Sequence, residues 1–228
     1  MTGEDFFQKL KDAVLNGEED SVADLVRKAL DEGLNPLDIL KKGLAAGVNE
    51  IADKFDKGEI YLPEVMMSAD TFSRGEEVIR SVIKGQSETT KGTVVIGTAY
   101  GDIHDIGKTL VSTFLRVNEF RVFDLGTDVE PEKFIKACKE NNADIVGVST
   151  LLSSSFPFSR DVKDMLEIEG IREKTYFIVG GGSINPDRAK DAKADGYARY
   201  AHSAVELCEE LISKRPKPPL SELMVKGE

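Results

Sequence analysis

The chain has 228 residues, enough for one large domain or two small ones with a real hydrophobic core. Its 30 basic and 41 acidic side chains give a formal net charge of −11, which argues against nucleic acid as a partner, because phosphate binding needs a basic face. No apolar run approaches the ~20 residues of a membrane span. The acidic start Met1-Thr2-Gly3-Glu4-Asp5 lacks the basic flank and apolar core of a signal peptide, so a cytoplasmic protein without a membrane partner is expected.

Residues 4 to about 84 read as amphipathic helices throughout. Phe6, Phe7, Leu10, Ala13 and Val14 recur with helical spacing, as do Val22, Leu25, Val26, Ala29 and Leu30, with Gly33 as a stop. Asn35-Pro36-Leu37-Asp38 combines a capping Asn, Pro at the first helical position and an acid in the first turn, and so predicts a third helix ending near Gly58. Pro63 opens another, carrying Val65, Met66, Met67, Ala69 and Phe72. The short connections predict an antiparallel bundle over 1–85. The polar stretch 86–92 reads as a linker.

From 93 to 228 the pattern changes to alternating strands and helices. Strands are predicted at 93–99, Arg121–Gly126, Asp144–Thr150, Thr175–Gly180 and Gly196–Arg199, with helices at 107–118, Pro131–Glu140, 157–168, Pro186–Ala194 and His202–Lys214. The fold class is therefore α/β: a helical bundle followed by a flavodoxin-like, doubly wound, five-stranded parallel sheet of order 2-1-3-4-5. The tail Arg215–Pro219 cannot continue a helix and is expected to be extended. Cys138 and Cys208 form no C-x-x-C pattern and read as reduced, partly buried thiols.

In that strand order ligands bind at the switch between the first and third strands, outside their carboxyl ends. The loops there are Tyr100–Gly107 and Ser149–Ser155, and the fourth strand ends in Gly180-Gly181-Gly182. Gly107-Lys108-Thr109 suggests a phosphate loop, but five residues rather than four separate it from Gly101, and two of them are aspartates. No G-x-G-x-x-G follows the first strand, and the third ends in Ser149-Thr150 rather than a phosphoryl-accepting Asp. A lone His104 is by default a satisfied surface residue. Asp102, two positions before it, can however fix its tautomer and make its other nitrogen a metal donor. No second His or Cys is near enough to complete a zinc site, so a metal held here must bring its own equatorial ligands, as in a macrocycle.

Asp102-x-His104-x-x-Gly107, then Ser149-x-Leu151 and Gly180-Gly181, resembles the cobalamin-binding signature of the corrinoid proteins of methyltransferase systems. Asn35–Leu40, Lys57–Glu64 and Asp195-Gly196-Tyr197 are also similar to that family, so the resemblance spans nearly the whole chain. It implies cobalamin bound base-off, with cobalt coordinated by His104 and the nucleotide tail threaded beside Gly107, Gly180 and Gly181. It further implies a relay His104–Asp102–Ser149, in which Ser149 hydrogen-bonds Asp102. Further corrinoid contacts are implied at Ile103, Asp105, Ile106, Leu151, Ser153, Gly182 and Tyr197. The bundle would cover the upper face of the corrin, with Leu62, Val65 and Met66 as candidate contacts and the linker as hinge. The implied role is a methyl carrier between a substrate:corrinoid methyltransferase and a corrinoid:acceptor methyltransferase using tetrahydrofolate or a thiol, with a reductive activase restoring oxidised cobalt. A cobalamin-dependent sensor and the small subunit of a mutase share parts of the pattern.

Overall fold

A computed structural model describes residues 2–83 and 90–227. It divides into two compact units, Met1–Glu88 and Thr89–Glu228. The expected linker lies mostly outside the described residues. The portion within them belongs to the second unit: the Thr90 hydroxyl donates to the Gly92 and Glu119 carbonyls, and Lys91 pairs with Glu209.

The first unit is all helical. Helix α1 (Gly3–Asn16) opens with a reciprocal capping box between Thr2 and Asp5, and α2 (Glu19–Asp31) follows after a left-handed Gly17. Asn35 caps α3 (Pro36–Asp38), accepting from the N–H groups of Leu37 and Asp38. The predicted third helix is one helical run whose middle, Ile39–Ala45, is π-helical before α4 (Ala46–Asp56). Helix α5 (Leu62–Ile83) is the longest element and packs on α2 and α4. Phe6, Leu10, Val22, Val26, Ile39, Leu44 and Phe72 are buried, because the apolar stripes of the helices turn inward. Gly47 permits the close approach of α1: a Cβ there would lie 2.7 Å from that of Val14.

The second unit is a parallel sheet of order β2-β1-β3-β4-β5-β6. Its strands are β1 (Thr93–Thr98), β2 (Arg121–Asp124), β3 (Ile145–Ser149), β4 (Tyr176–Gly180), β5 (Gly196–Ala198) and β6 (Met224–Lys226). The five predicted strands and their order are present. The sixth corrects the expected count: the tail passes its prolines and adds Met224–Lys226 in parallel beside β5. Asp195 anchors this return, its carboxylate accepting from the N–H of Leu220 and its carbonyl from that of Met224.

Helices α6 (Ile106–Val117) and α10 (Ala201–Lys214) pack together, whereas α7 (Pro131–Asn141), α8 (Phe156–Ile168) and α9 (Pro186–Asp191) contribute to a separate core. That core joins Val95, Val146, Val148, Phe177 and Val179 to Phe134, Ile135, Val162, Leu166 and Ala189. With both faces covered, the central strands are continuous apolar runs rather than alternating ones.

Candidate functional site

The strand register brings the three motifs to one level. Thr98 pairs with Ser149, and Ser149 pairs with Gly180, so the loops after β1, β3 and β4 leave the sheet side by side. This is the switch point, where β1 connects outward to β2 while β3 lies on its other side.

Asp102 is the hub of the β1 loop and is fully buried. One carboxylate oxygen accepts from the His104 backbone N–H at 3.0 Å and lies 2.8 Å from His104 Nδ1. The other accepts from the N–H groups of Leu151 and Leu152 at 2.7 and 2.9 Å. Burial alone pushes this carboxyl up, but the bonds from Leu152, from His104 backbone and ring, and from Leu151 outweigh it and hold the group below the usual carboxylate value. Asp102 therefore stays an acceptor. With the proton on Nδ1, the other ring nitrogen, Nε2, is left as the lone-pair face of a side chain that is 49% exposed.

Ser149 corrects the expected relay. Both Asp102 oxygens are engaged by His104 and by the backbone of the β3 loop, and no Ser149–Asp102 hydrogen bond forms. Ser149 contributes through its carbonyl, which accepts from the Ala99 N–H and joins the two loops at their base. The link from Asp102 to this segment is made by peptide N–H groups two and three positions further on.

Side-chain pattern reading also missed several supports of the loop. The Thr98 hydroxyl donates to the His104 carbonyl at 3.0 Å. Asp128 accepts from the Gly101 N–H at 2.8 Å and donates its own N–H to the Asp102 carbonyl at 2.9 Å. Lys108, which suggested a phosphate loop, is buried and reaches both Asp124 oxygens at 2.6 Å. Ser112 donates to the same carboxylate. The lysine thus ties the start of α6 to the end of β2 and is unavailable to a phosphate.

The three glycines differ. At Gly181, φ is +107° and a Cβ would lie 2.4 Å from the Thr150 carbonyl oxygen, so the protein itself requires glycine there. At Gly107 nothing lies within 4 Å, and at Gly180 the nearest atom is 3.8 Å away. Gly182 faces Leu151, and Ser153 accepts from Arg188, which also donates to the Ser183 carbonyl. Around His104, Ile103 (74% exposed), Ile106, Leu151 and Leu152 form an uncovered apolar rim, and Asp105 is exposed at the start of α6.

Tyr197 departs from expectation: it is buried in the core shared with α7, α8 and α9. In the helical unit Leu62 and Met66 are exposed, whereas Val65 is only 1% exposed and offers no surface to a ligand. Among the described residues, no group of three or more His, Cys, Asp or Glu could hold a metal ion. Cys138 and Cys208 are free and buried.

Residues 92–207 match the B12 binding domain family, and residues 7–88 match a second B12 binding domain family. The chain is 40% identical to dimethylamine corrinoid protein 1 of Methanosarcina acetivorans over 214 residues, covering 93% of this chain and 100% of that protein. A chain in the crystal structure of the methanol:cobalamin methyltransferase complex MtaBC from Methanosarcina barkeri is similar with a TM-score of 0.81 and 33% identity, over 92% of this chain and 80% of that one. A cobalamin-binding protein from Desulfitobacterium hafniense matches with a TM-score of 0.68 and 25% identity, over 90% and 97% of the two chains.

Proposed function

This chain belongs to the B12-binding family of corrinoid proteins, and its cofactor is cobalamin; from that premise we propose that it carries methyl groups, with His104 as the residue that would hold cobalt. The residues present suit that group. One imidazole presents its lone-pair nitrogen beside open space at Gly107 and Gly180, within an apolar rim suited to a large flat macrocycle. Bound cobalamin supplies a cobalt atom that accepts a methyl group and gives it up again.

The protein's part is to hold and tune the donor. Asp102 fixes the ring of His104 and keeps its proton on Nδ1, leaving the Nε2 lone pair as the donor. The buried Asp102 carboxylate, 2.8 Å from Nδ1, would keep the ring oriented toward a bound cobalt. The observation that carries this reading is the 2.8 Å contact between His104 Nδ1 and a carboxylate anchored by three backbone N–H groups.

The partners under this reading are a substrate:corrinoid methyltransferase, a corrinoid:acceptor methyltransferase serving tetrahydrofolate or a thiol, and a reductive activase. Relatives named for dimethylamine and for a methanol:cobalamin complex support partners of that kind. The test is to load the protein with hydroxocobalamin, reduce it with titanium(III) citrate and add iodomethane labelled in its methyl carbon. Label should co-elute with the protein and be released by light. Failure to retain label, or isomerase activity with an adenosyl cobalamin, would contradict the carrier role.

A further inference from the structure

A groove in the second unit is lined by none of the residues assigned above to cobalamin. It encloses about 460 Å³ and is lined by Tyr100, Phe158, Met165 and Ile168 on its apolar side. Glu130, Glu132, Asp161 and Asp164 stand around these, with no basic side chain in the lining. Tyr100 and Phe158 meet edge to face, with centroids 5.1 Å apart, and Ile168 is 79% exposed.

Two of the acids have a local explanation. Glu130 and Glu132 sit at the start of α7, where the helix dipole favours negative charge. Asp161 and Asp164 do not, since they lie within α8. Glu130 pairs with Lys133, and Asp164 with the buried Lys163. Neither Glu132 nor Asp161 makes a salt bridge among the described residues, so the rim keeps uncompensated negative charge over an apolar floor.

We propose that this groove docks a basic amphipathic segment of a partner protein, apolar side chains seated between Tyr100, Phe158 and Met165 and lysine or arginine side chains facing the acidic rim. The occupant follows from charge complementarity. A second copy of this acidic chain would bring like charges together, whereas a basic segment satisfies both the floor and the rim. The groove adjoins the reactive loop, because Tyr100 immediately precedes Gly101 and Asp102, which Asp128 clamps from below. That an enzyme should need to come so close rests on the carrier reading; the docking chemistry does not.

The test therefore leaves cobalamin out. Full-length protein with methyl-labelled methionine has five reporters, of which Met165 lines the groove and Met66, Met67 and Met224 do not. The probe is an acetylated helical peptide of leucine and lysine at heptad spacing, titrated at low salt. Met165 should shift first and saturate. E132K combined with D161K, both exposed positions, should weaken binding by about tenfold or more. Replacing the peptide's leucines by alanine should abolish the Met165 shift. The proposal is overturned if Met165 stays still, if the charge-reversed protein binds equally well, if the alanine peptide binds as tightly, or if Met165 shifts with protein concentration alone. Failed methyl uptake in the cobalamin experiment would leave these results standing, so the two readings fail separately.

Discussion

Gly181→Ala and Gly107→Ala should separate what the fold requires from what the cofactor requires. At Gly181 the new methyl would meet the Thr150 carbonyl oxygen at 2.4 Å, its nitrogen at 2.7 Å and its carbon at 2.8 Å, on backbone with φ of +107°. Strain of about 1–3 kcal/mol from the dihedral adds to about 1–3 kcal/mol of overpacking against backbone that cannot swing away. The expected loss is about 2–6 kcal/mol, or about 5–20 °C in the melting midpoint of the cobalamin-free protein by circular dichroism. At Gly107 a Cβ meets nothing within 4 Å, and the residue lies in the first turn of α6. Alanine there should leave the midpoint unchanged or raise it slightly, because glycine disfavours helix by up to about 1 kcal/mol. It should nonetheless intrude on bound cobalamin by about 1–3 kcal/mol, a rise in Kd of about fivefold to about 150-fold. Full affinity in Gly107→Ala would refute the assignment of that space to the cofactor. An unaltered midpoint in Gly181→Ala would refute the steric argument.

Lys108→Met should destabilise the cobalamin-free protein by about 3 kcal/mol, because it leaves Asp124 without its buried counter-charge, and adding Asp124→Asn should recover much of that loss in urea titrations. Ser149→Ala should change stability by no more than about 0.5 kcal/mol and leave histidine coordination intact in the absorption spectrum, because no hydrogen bond from Ser149 supports Asp102; lost coordination would restore the relay. Burial pushes the thiols of Cys138 and Cys208 up to about 12 from the ordinary 9.0. The neutral thiols therefore contribute stability that is complete below pH 9 and is lost as pH rises toward 12, and native protein at pH 8 should react with a thiol reagent only as fast as it opens.

Periodicity was a sufficient guide to the helices because each buries one stripe, and to β1, β3 and β4 because strands covered on both faces are uninterrupted apolar runs. The tail strand was not legible, because Met224–Lys226 is too short to carry a pattern and is held by the return over Asp195. The π-helical turn at Ile39–Ala45 leaves the apolar spacing of its helix readable and so gives no separate signal. At the site, the spacing from Asp102 to His104 was enough to foresee their contact, since two residues in one loop can meet without help from the fold. The role of Ser149 was misread because Asp102 is anchored by peptide N–H groups, which every residue has and no motif records. The structural tie of Lys108 to Asp124 was not legible for a related reason: the two lie 16 residues apart and are brought together only by the pairing of β1 with β2.

The coordination of cobalt by His104 is tested most directly by electron paramagnetic resonance of the protein loaded with cobalamin and reduced to the cobalt(II) state. One sample is grown with ordinary histidine and the other with histidine carrying the heavy nitrogen isotope in its ring. A ring nitrogen of His104 on the axis predicts that superhyperfine triplets become doublets on labelling, and that His104→Ala abolishes the label effect whereas His202→Ala does not. Triplets that persist in the labelled protein would mean that the cofactor's own base holds the metal, and the central claim would be wrong.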